Sequence, residues 1–291
     1  MTLGRGLPRS NHEIRAAVPV LRPKKTIVPL LRPKKIGRMD RRPHEARVVV
    51  PRHRHSTEAA PWTCGSVQDW LQPQSDNFRC LHVQRSQAWD DKGVQQSADR
   101  MAKAGVFGRE ECLHEDVDVA KAAGTSPQHF SAELSWKAQR LVSRAVALGL
   151  PQSLGQQVRL DAEEICSVLV KMLPDSERFV LKLELMGGNV CSRWHQDTCV
   201  GRVIITYNGV GTDFVQHDNV NFFKLNGGEP DPNQIIRDSS QIFRATPGDI
   251  LFMKGRLYPG AVNGLVHKSP EKRFHPSGAI MTRLCFKVDI P

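Results

Sequence analysis

The stretch RWHQDTC, residues 193–199, places a histidine and an aspartate two positions apart, at His195 and Asp197. Imidazole nitrogens and carboxylate oxygens both bind divalent transition metals, and residues i and i+2 of a strand project to the same face. The pair could therefore hold one metal ion. The spacing alone is weak, because the chain has eleven histidines and a second H-x-D at 114–116. The alternative is a polar turn in which Asp197 caps a backbone amide.

A third ligand must come from elsewhere, and His267 in NGLVHKSP is the best candidate. It follows a short apolar run that can lie beside the first strand. Two histidines and one carboxylate, with open positions opposite, are the ligand set of non-haem iron(II) oxygenases. The open positions matter because O2 and a co-substrate must both bind the metal. A core histidine with no ligand role is the competing interpretation.

Two further residues are candidates for cofactor binding. Arg283 would point inward from the last predicted strand, where a guanidinium needs a carboxylate partner. In a 2-oxoglutarate oxygenase that partner would be the distal carboxylate of the co-substrate, and a salt bridge to Glu184 or Asp249 is the rival. Tyr207 could orient a ligand through its hydroxyl, although packing inside a barrel is slightly favoured.

Several other polar residues remain open as alternatives. Cys191 and Cys199 bracket the candidate site as possible thiolate ligands, against the default of small buried hydrophobes. A shifted register could also replace a ligand by Asp213 or by the pair His217–Asp218. The acidic run at 114–118 is interpreted as a solvated face.

The apolar spacing predicts two helices followed by a β-rich half. One helix runs from Ser131 to Gly149, and a second begins at Asp161 as N-cap and ends before Pro174. Short strands separated by Gly and Pro turns indicate a barrel or jelly roll. The predicted strands are 179–186, 203–207, 212–216, 220–225, 241–245, 249–254 and 280–288.

The positive charge is confined to one end of the chain. Residues 1–55 have fifteen Lys or Arg and three acids, a balance of +12, whereas the remaining residues have a balance of −1. We expect a disordered basic arm at 1–58, an irregular or helical extension at 59–130, and the folded core at 131–291. The arm could recruit nucleic acid or an acidic partner, act in targeting, or be dispensable.

The sequence also limits the cellular compartments in which we expect the protein. No run approaches the ~18 apolar residues of a membrane span, and the first residues have no apolar signal segment. Seven scattered cysteines without a CxxC pair are typical of reduced thiols. We therefore expect an intracellular protein without membrane association, whether cytoplasmic, nuclear or organellar.

The order H-x-D, H, R, together with TPGDILFMKG, resembles the 2-oxoglutarate/iron(II) oxygenase and cupin superfamily. The words RWHQD, ITYNGVGTDF, GLVHKSP and TRLCFKVD are similar to those of an uncharacterised, largely bacterial family known as a domain of unknown function. The resemblance covers about residues 130–291. It implies a double-stranded β-helix, metal ligands at His195, Asp197 and His267, and a co-substrate clamp at Arg283. Arg283 lies further past His267 than the arginine of many oxygenases does.

The fold we expect is α+β, with a helical N-terminal layer packed on a C-terminal double-stranded β-helix. The leading functional hypothesis is a non-haem oxygenase that binds Fe(2+) and uses 2-oxoglutarate, with an unidentified substrate. The main alternative is a non-catalytic, cupin-like binding or scaffold protein whose basic arm recruits its partner. A metal-dependent isomerase or thiol oxygenase on the same fold would retain the metal ligands and dispense with Arg283.

Overall fold

A computed structural model describes residues 62–72, 78–106, 112–119, 127–188, 190–227 and 232–291. These ranges all belong to one compact unit, Arg54–Pro291. The predicted basic arm, 1–58, lies outside the described residues.

The helices are α1 (Asp91–Lys103), α2 (Pro127–Ala147), α3 (Gln152–Met172), α4 (Phe222–Asn226) and α5 (Pro232–Ile235). The helix predicted from Ser131 corresponds to α2. The predicted start at Asp161 is wrong, because α3 begins at Gln152 and Asp161 lies in its interior. Asp161 is fully buried and accepts hydrogen bonds from both Nη atoms of Arg85, at 2.6 and 2.8 Å. An acid in a buried ion pair gives the same sequence signal as an N-cap.

The described residues form ten strands in two sheets. The strands are β1 (Trp62–Cys64), β2 (Cys80–Val83), β3 (Leu113–Asp118), β4 (Arg178–Met186), β5 (Gly201–Thr206), β6 (Asp213–Val215), β7 (Ile242–Arg244), β8 (Ile250–Lys254), β9 (Val266–Lys268) and β10 (Arg283–Ile290). The large sheet has the order β1-β2-β8-β5-β10-β4-β3 and is antiparallel except for the β1–β2 pair. The small sheet has the order β7-β6-β9. The fold is therefore a mixture of helices and sheets around one large, mostly antiparallel sheet.

The described residues of the segment 59–130, predicted as an irregular or helical extension, include strands as well as a helix. Besides α1 it contributes β1, β2 and β3, which complete both edges of the large sheet. Strand β3 includes the acidic run at 114–118, so that run is not simply a solvated face. Glu115 is buried and lies 3.0 Å from Arg140 and 3.3 Å from Arg144, both on α2. Short polar strands of this kind carry little periodic signal.

The predicted strand at 220–225 is also wrong, because α4 occupies most of it. Asn221 caps this helix by accepting from the backbone N–H of Lys224 at 3.3 Å. A capped five-residue helix and a short apolar strand cannot be separated by periodicity alone. The other predicted strands correspond to β4–β8 and β10.

The two faces of the large sheet have different neighbours. Along β10, Leu284, Phe286 and Val288 join the main core with α2 and α3. The alternate residues project to the opposite face. There a second apolar cluster joins the two sheets, with Ile204 and Leu251 from the large sheet and Phe214 from the small one. The small sheet, which includes His267 and is bridged to His195, lies on the side of this second face.

None of the helices in the described ranges combines the length and apolar content that crossing a bilayer requires.

Candidate metal site

His195, Asp197 and His267 converge on one point. Each offers one ligand atom, and the three atoms lie within 4.8 Å of one another. The Nε2 atom of His195 is 3.7 Å from Oδ1 of Asp197, and Nε2 of His267 is 3.5 Å from Oδ2. The structure thus brings together the three residues that the sequence predicted as ligands. Two imidazoles and a carboxylate at this separation fit a divalent transition metal.

The backbone positions this group with a single bridge instead of a continuous strand. His195 and His267 exchange two backbone hydrogen bonds, each 3.0 Å long, which attach the segment before β5 to β9. The expectation that His195 and Asp197 lie on a regular strand was therefore wrong. The bridge is enough to place the two rings side by side, with centroids 4.5 Å apart.

Both imidazoles are oriented by backbone carbonyls. The Nδ1 atom of His195 is 2.8 Å from the carbonyl oxygen of Arg193, and that of His267 is 3.1 Å from the carbonyl oxygen of Leu265. A carbonyl only accepts, so these contacts assign the donating role to Nδ1 and leave Nε2 as the atom of each ring that can bind a metal. Burial lowers the pKa of His267 to about 4, which keeps its ring neutral at physiological pH.

Asp197 is held from two sides. Its Oδ2 atom accepts a hydrogen bond from Nη1 of Arg202 at 2.8 Å, and its carbonyl oxygen accepts from the backbone N–H of Arg256 at 2.9 Å. The neighbouring Gln196 side chain donates to the carbonyl oxygen of Gly264 at 2.7 Å. The loop between β8 and β9 thus stabilises the segment that carries the carboxylate.

Arg202 is the residue at this site that the sequence reasoning missed. It stands in β5 among apolar residues (GRVIIT), and a lone cation in a buried strand was the available signal.

Arg283 lies on the face of β10 that looks away from α2 and α3. One amino group, Nη1, donates to the carbonyl oxygen of Val210 at 3.0 Å, whereas Nη2 is buried with no hydrogen-bond partner among the described residues. The rival salt bridges do not form, because Glu184 pairs with Lys287 and Asp249 pairs with His82. Arg283 therefore has one unsatisfied buried donor.

Arg283 lines a small cavity, and Val190 and Pro270 contribute to the same lining. Val190 precedes the segment that carries His195, and Pro270 follows the segment that carries His267. A 3.0 Å hydrogen bond from the N–H of Ser269 to the carbonyl of Cys191 joins these two segments.

Tyr207 does not reach the candidate site, which corrects its assignment to cofactor binding. The side chain is fully buried in the core shared with the helices, and its hydroxyl donates to Oδ2 of Asp161 in α3 at 2.6 Å. Burial, together with the nearby Asp161 carboxylate, raises the pKa of the Tyr207 hydroxyl well above its usual value. Tyr207 therefore packs in the core and connects β5 to α3.

The alternative ligands lie outside the convergent group. Asp213 is bound by Nε of Arg244 at 2.5 Å, and the ring of His217 packs against Phe222. Cys191 has its sulfur 3.8 Å from Nδ1 of His195, on the side away from the ligand atoms. Burial and the adjacent Asp197 carboxylate raise the pKa of Cys199 to about 11, so this thiol stays protonated.

Comparison with known proteins gives a family and distant structural likenesses. A family model described as a protein of unknown function, DUF1826, matches residues 103–289. No curated protein matches the chain. A full-length Neurospora crassa protein solved in complex with alpha-KG is 10% identical, with a TM-score of 0.33 over 72% of this chain and 73% of that one. A Pseudomonas putida prolyl-4-hydroxylase is 11% identical, with a TM-score of 0.32 over 77% and 95%. No residue role follows from scores this low.

Proposed function

The chain belongs to the DUF1826 family of proteins of unknown function, and we propose that it is a non-haem iron(II) oxygenase that uses 2-oxoglutarate. The observation that carries this proposal is the convergence of His195, Asp197 and His267 within 4.8 Å. A ligand set of two histidines and one carboxylate leaves coordination positions free for O2 and a co-substrate.

We further propose that the two sheets form a double-stranded β-helix. The chain alternates between them, since β4, β5, β8 and β10 belong to the large sheet. The small sheet consists of β6, β7 and β9, and His195 joins it through its bridge to His267 in β9. This alternation supports the proposal because it winds the chain as a helix with the ligands between its two faces.

The role of Arg283 follows from its unsatisfied donor. A buried guanidinium binds a carboxylate best through two parallel N–H groups, and Nη2 has no partner among the described residues. Lys287, on the same face of β10, is already neutralised by Glu184 at 2.7 Å. Arg283 is therefore the better of these two cations to bind the distal carboxylate of 2-oxoglutarate.

The protein's own part in catalysis would be to bind, orient and exclude water. His195 and His267 present Nε2 and Asp197 presents a carboxylate oxygen to the iron, which when bound supplies the activation of O2. His195 is one-third exposed, and this opens the site to solvent on one side. We assign substrate entry to that side. Arg283 holds the co-substrate in one orientation and so sets its distance from the reacting centre.

The test is a calorimetric titration of 2-oxoglutarate into the iron(II)-loaded protein under anaerobic conditions, which measures the affinity of the co-substrate. Wild type is expected to bind, and Arg283→Gln is expected to lose at least about tenfold in affinity because one charge-assisted bond is worth roughly 1.5–3 kcal/mol. Arg244→Gln, which removes an arginine paired with Asp213, is the matched control and is expected to bind as wild type does. Iron-loaded wild type that binds no 2-oxoglutarate would contradict the co-substrate assignment.

A further inference from the structure

A chain of four side chains with alternating charge runs from the candidate metal site into the large sheet. Nη1 of Arg202 is 2.8 Å from Oδ2 of Asp197, and its Nε is 2.5 Å from Oδ1 of Asp289. The other oxygen of Asp289 is 2.7 Å from Nζ of Lys182. The four side chains are all largely buried, with exposed fractions between 10% and 29%. Two positive and two negative charges make the chain neutral as a whole.

The arginine occupies a position that no other side chain could fill equally well. A planar guanidinium can bind two carboxylates at once with fixed geometry, which a lysine cannot do. Although burial alone would lower the pKa of Arg202, the adjacent Asp289 and Asp197 carboxylates raise it above its ordinary value, so the group stays charged. The guanidinium therefore fixes Asp197 relative to Asp289, a residue of the central strand β10.

Asp197 needs this external support because its own segment is irregular. In the described part of the chain, that segment has one isolated bridge, at His195, and its other backbone bonds come from loops, such as the bond from the N–H of Arg256 to the carbonyl of Asp197. Arg202, in contrast, stands in β5, which is paired on both sides, with β8 and with β10. Arg202 donates a hydrogen bond to Oδ2 of Asp197, while Oδ1 of Asp197 faces Nε2 of His195 at a distance of 3.7 Å.

We propose that Arg202 is the positioning residue of the metal site, and that Asp289 anchors it. The inference rests on the proposed metal site and deepens it. Two effects oppose each other, since a nearby cation also reduces the electron-donating power of the Asp197 carboxylate. Asp289 offsets that effect, because its charge compensates the guanidinium at 2.5 Å. Without Arg202, the largely buried Asp197 carboxylate would lose its arginine partner, whereas Asp289 would keep Lys182, and Asp197 would turn away from the histidines.

The test measures cobalt(II) binding to the full chain under anaerobic conditions, by competition with a chromophoric chelator. Arg202→Gln is expected to weaken cobalt binding about 10- to 100-fold, the usual loss when a ligand's supporting partner is removed. Arg202→Lys retains the charge but not the two-carboxylate geometry, and is expected to recover part of the affinity. Arg244→Gln breaks another arginine–aspartate pair, on the small sheet, and is expected to bind cobalt as wild type does.

A second variant covers the case in which Arg202→Gln does not fold. Asp289→Asn keeps the arginine and removes the charge that anchors it, and a several-fold loss of cobalt affinity is expected. The visible spectrum of bound cobalt(II), which reports ligand geometry, is expected to change in the Arg202 variants and not in Arg244→Gln. Wild-type affinity and spectrum in Arg202→Lys and Asp289→Asn would overturn the positioning role while leaving the metal site in place. If the wild-type protein binds neither cobalt nor iron, the proposed metal site itself would be contradicted.

Discussion

At the scale of single residues, Arg202 and Tyr207 have opposite surroundings, since Arg202 contacts Asp197 and Tyr207 contacts Asp161 in α3. The three candidate ligands could be singled out in the sequence because metal ligation constrains both residue type and order along the chain, and the structure brings them together. Arg202 and Tyr207 depend on which face of β5 a side chain occupies and on what packs there. Val203 and Ile205 face the helices, as does Tyr207, whereas Arg202 faces Asp197 of the candidate metal site. Only the packed structure decides between the two faces.

Tyr207→Phe separates the packing role from a ligand role. The change removes a 2.6 Å hydrogen bond to the buried Asp161 carboxylate, and we expect the free energy of unfolding to fall by about 2 kcal/mol. Metal affinity is expected to stay at the wild-type value, because the hydroxyl faces α3. Urea denaturation and cobalt(II) titration check the two parts. Unchanged stability with weakened metal binding would instead indicate a hydroxyl near the site.

At the scale of elements, long periodic segments were predicted better than short ones. The strands β4 and β10 have many alternating apolar positions, and α2 has many apolar positions at helical spacing. Their type could therefore be predicted from the sequence. The strands β1–β3 are short, and the buried Glu115 in β3 forms ion pairs with Arg140 and Arg144 of α2. Tertiary contacts of this kind are invisible in a local sequence window.

The loop between β8 and β9 offers a direct test of how the site segment is supported. A Cβ on Gly255 would lie 2.0 Å from the carbonyl oxygen of Cys199, so backbone must move against backbone. We expect Gly255→Ala to cost about 1–3 kcal/mol of stability and also to weaken cobalt binding, since the adjacent Arg256 N–H bonds the carbonyl of Asp197.

The matched control for that loop is Gly65→Ala, whose Cβ would make only an ordinary 3.7 Å contact with Asp69. Both changes reduce the freedom of the unfolded chain alike, so the difference between them isolates the clash. Equal stability and equal cobalt affinity in the two variants would show that the loop does not position Asp197.

At the scale of the whole molecule, the fold separates two roles between the faces of one sheet. The helix-facing side contains most of the apolar core, including Phe179, Phe252 and Phe286. The other side contains the paired charges Lys287–Glu184 and Arg202–Asp289 and faces the candidate metal site. The mixture of helices and sheets was predictable from the sequence, because two long helical patterns are followed by a series of strand patterns from Arg178 onward. The inclusion of β1–β3 in the same sheet was not, since it is a long-range pairing.

The central claim, a metal bound by His195, Asp197 and His267, is tested most directly by metal content. The full chain is purified anaerobically with iron(II) supplied, and iron is measured in wild type and in His195→Ala, Asp197→Ala and the control His129→Ala. We predict close to one iron per chain in wild type and the control, and loss of iron in the two ligand variants. Wild type without iron, or ligand variants with as much iron as wild type, would contradict the account.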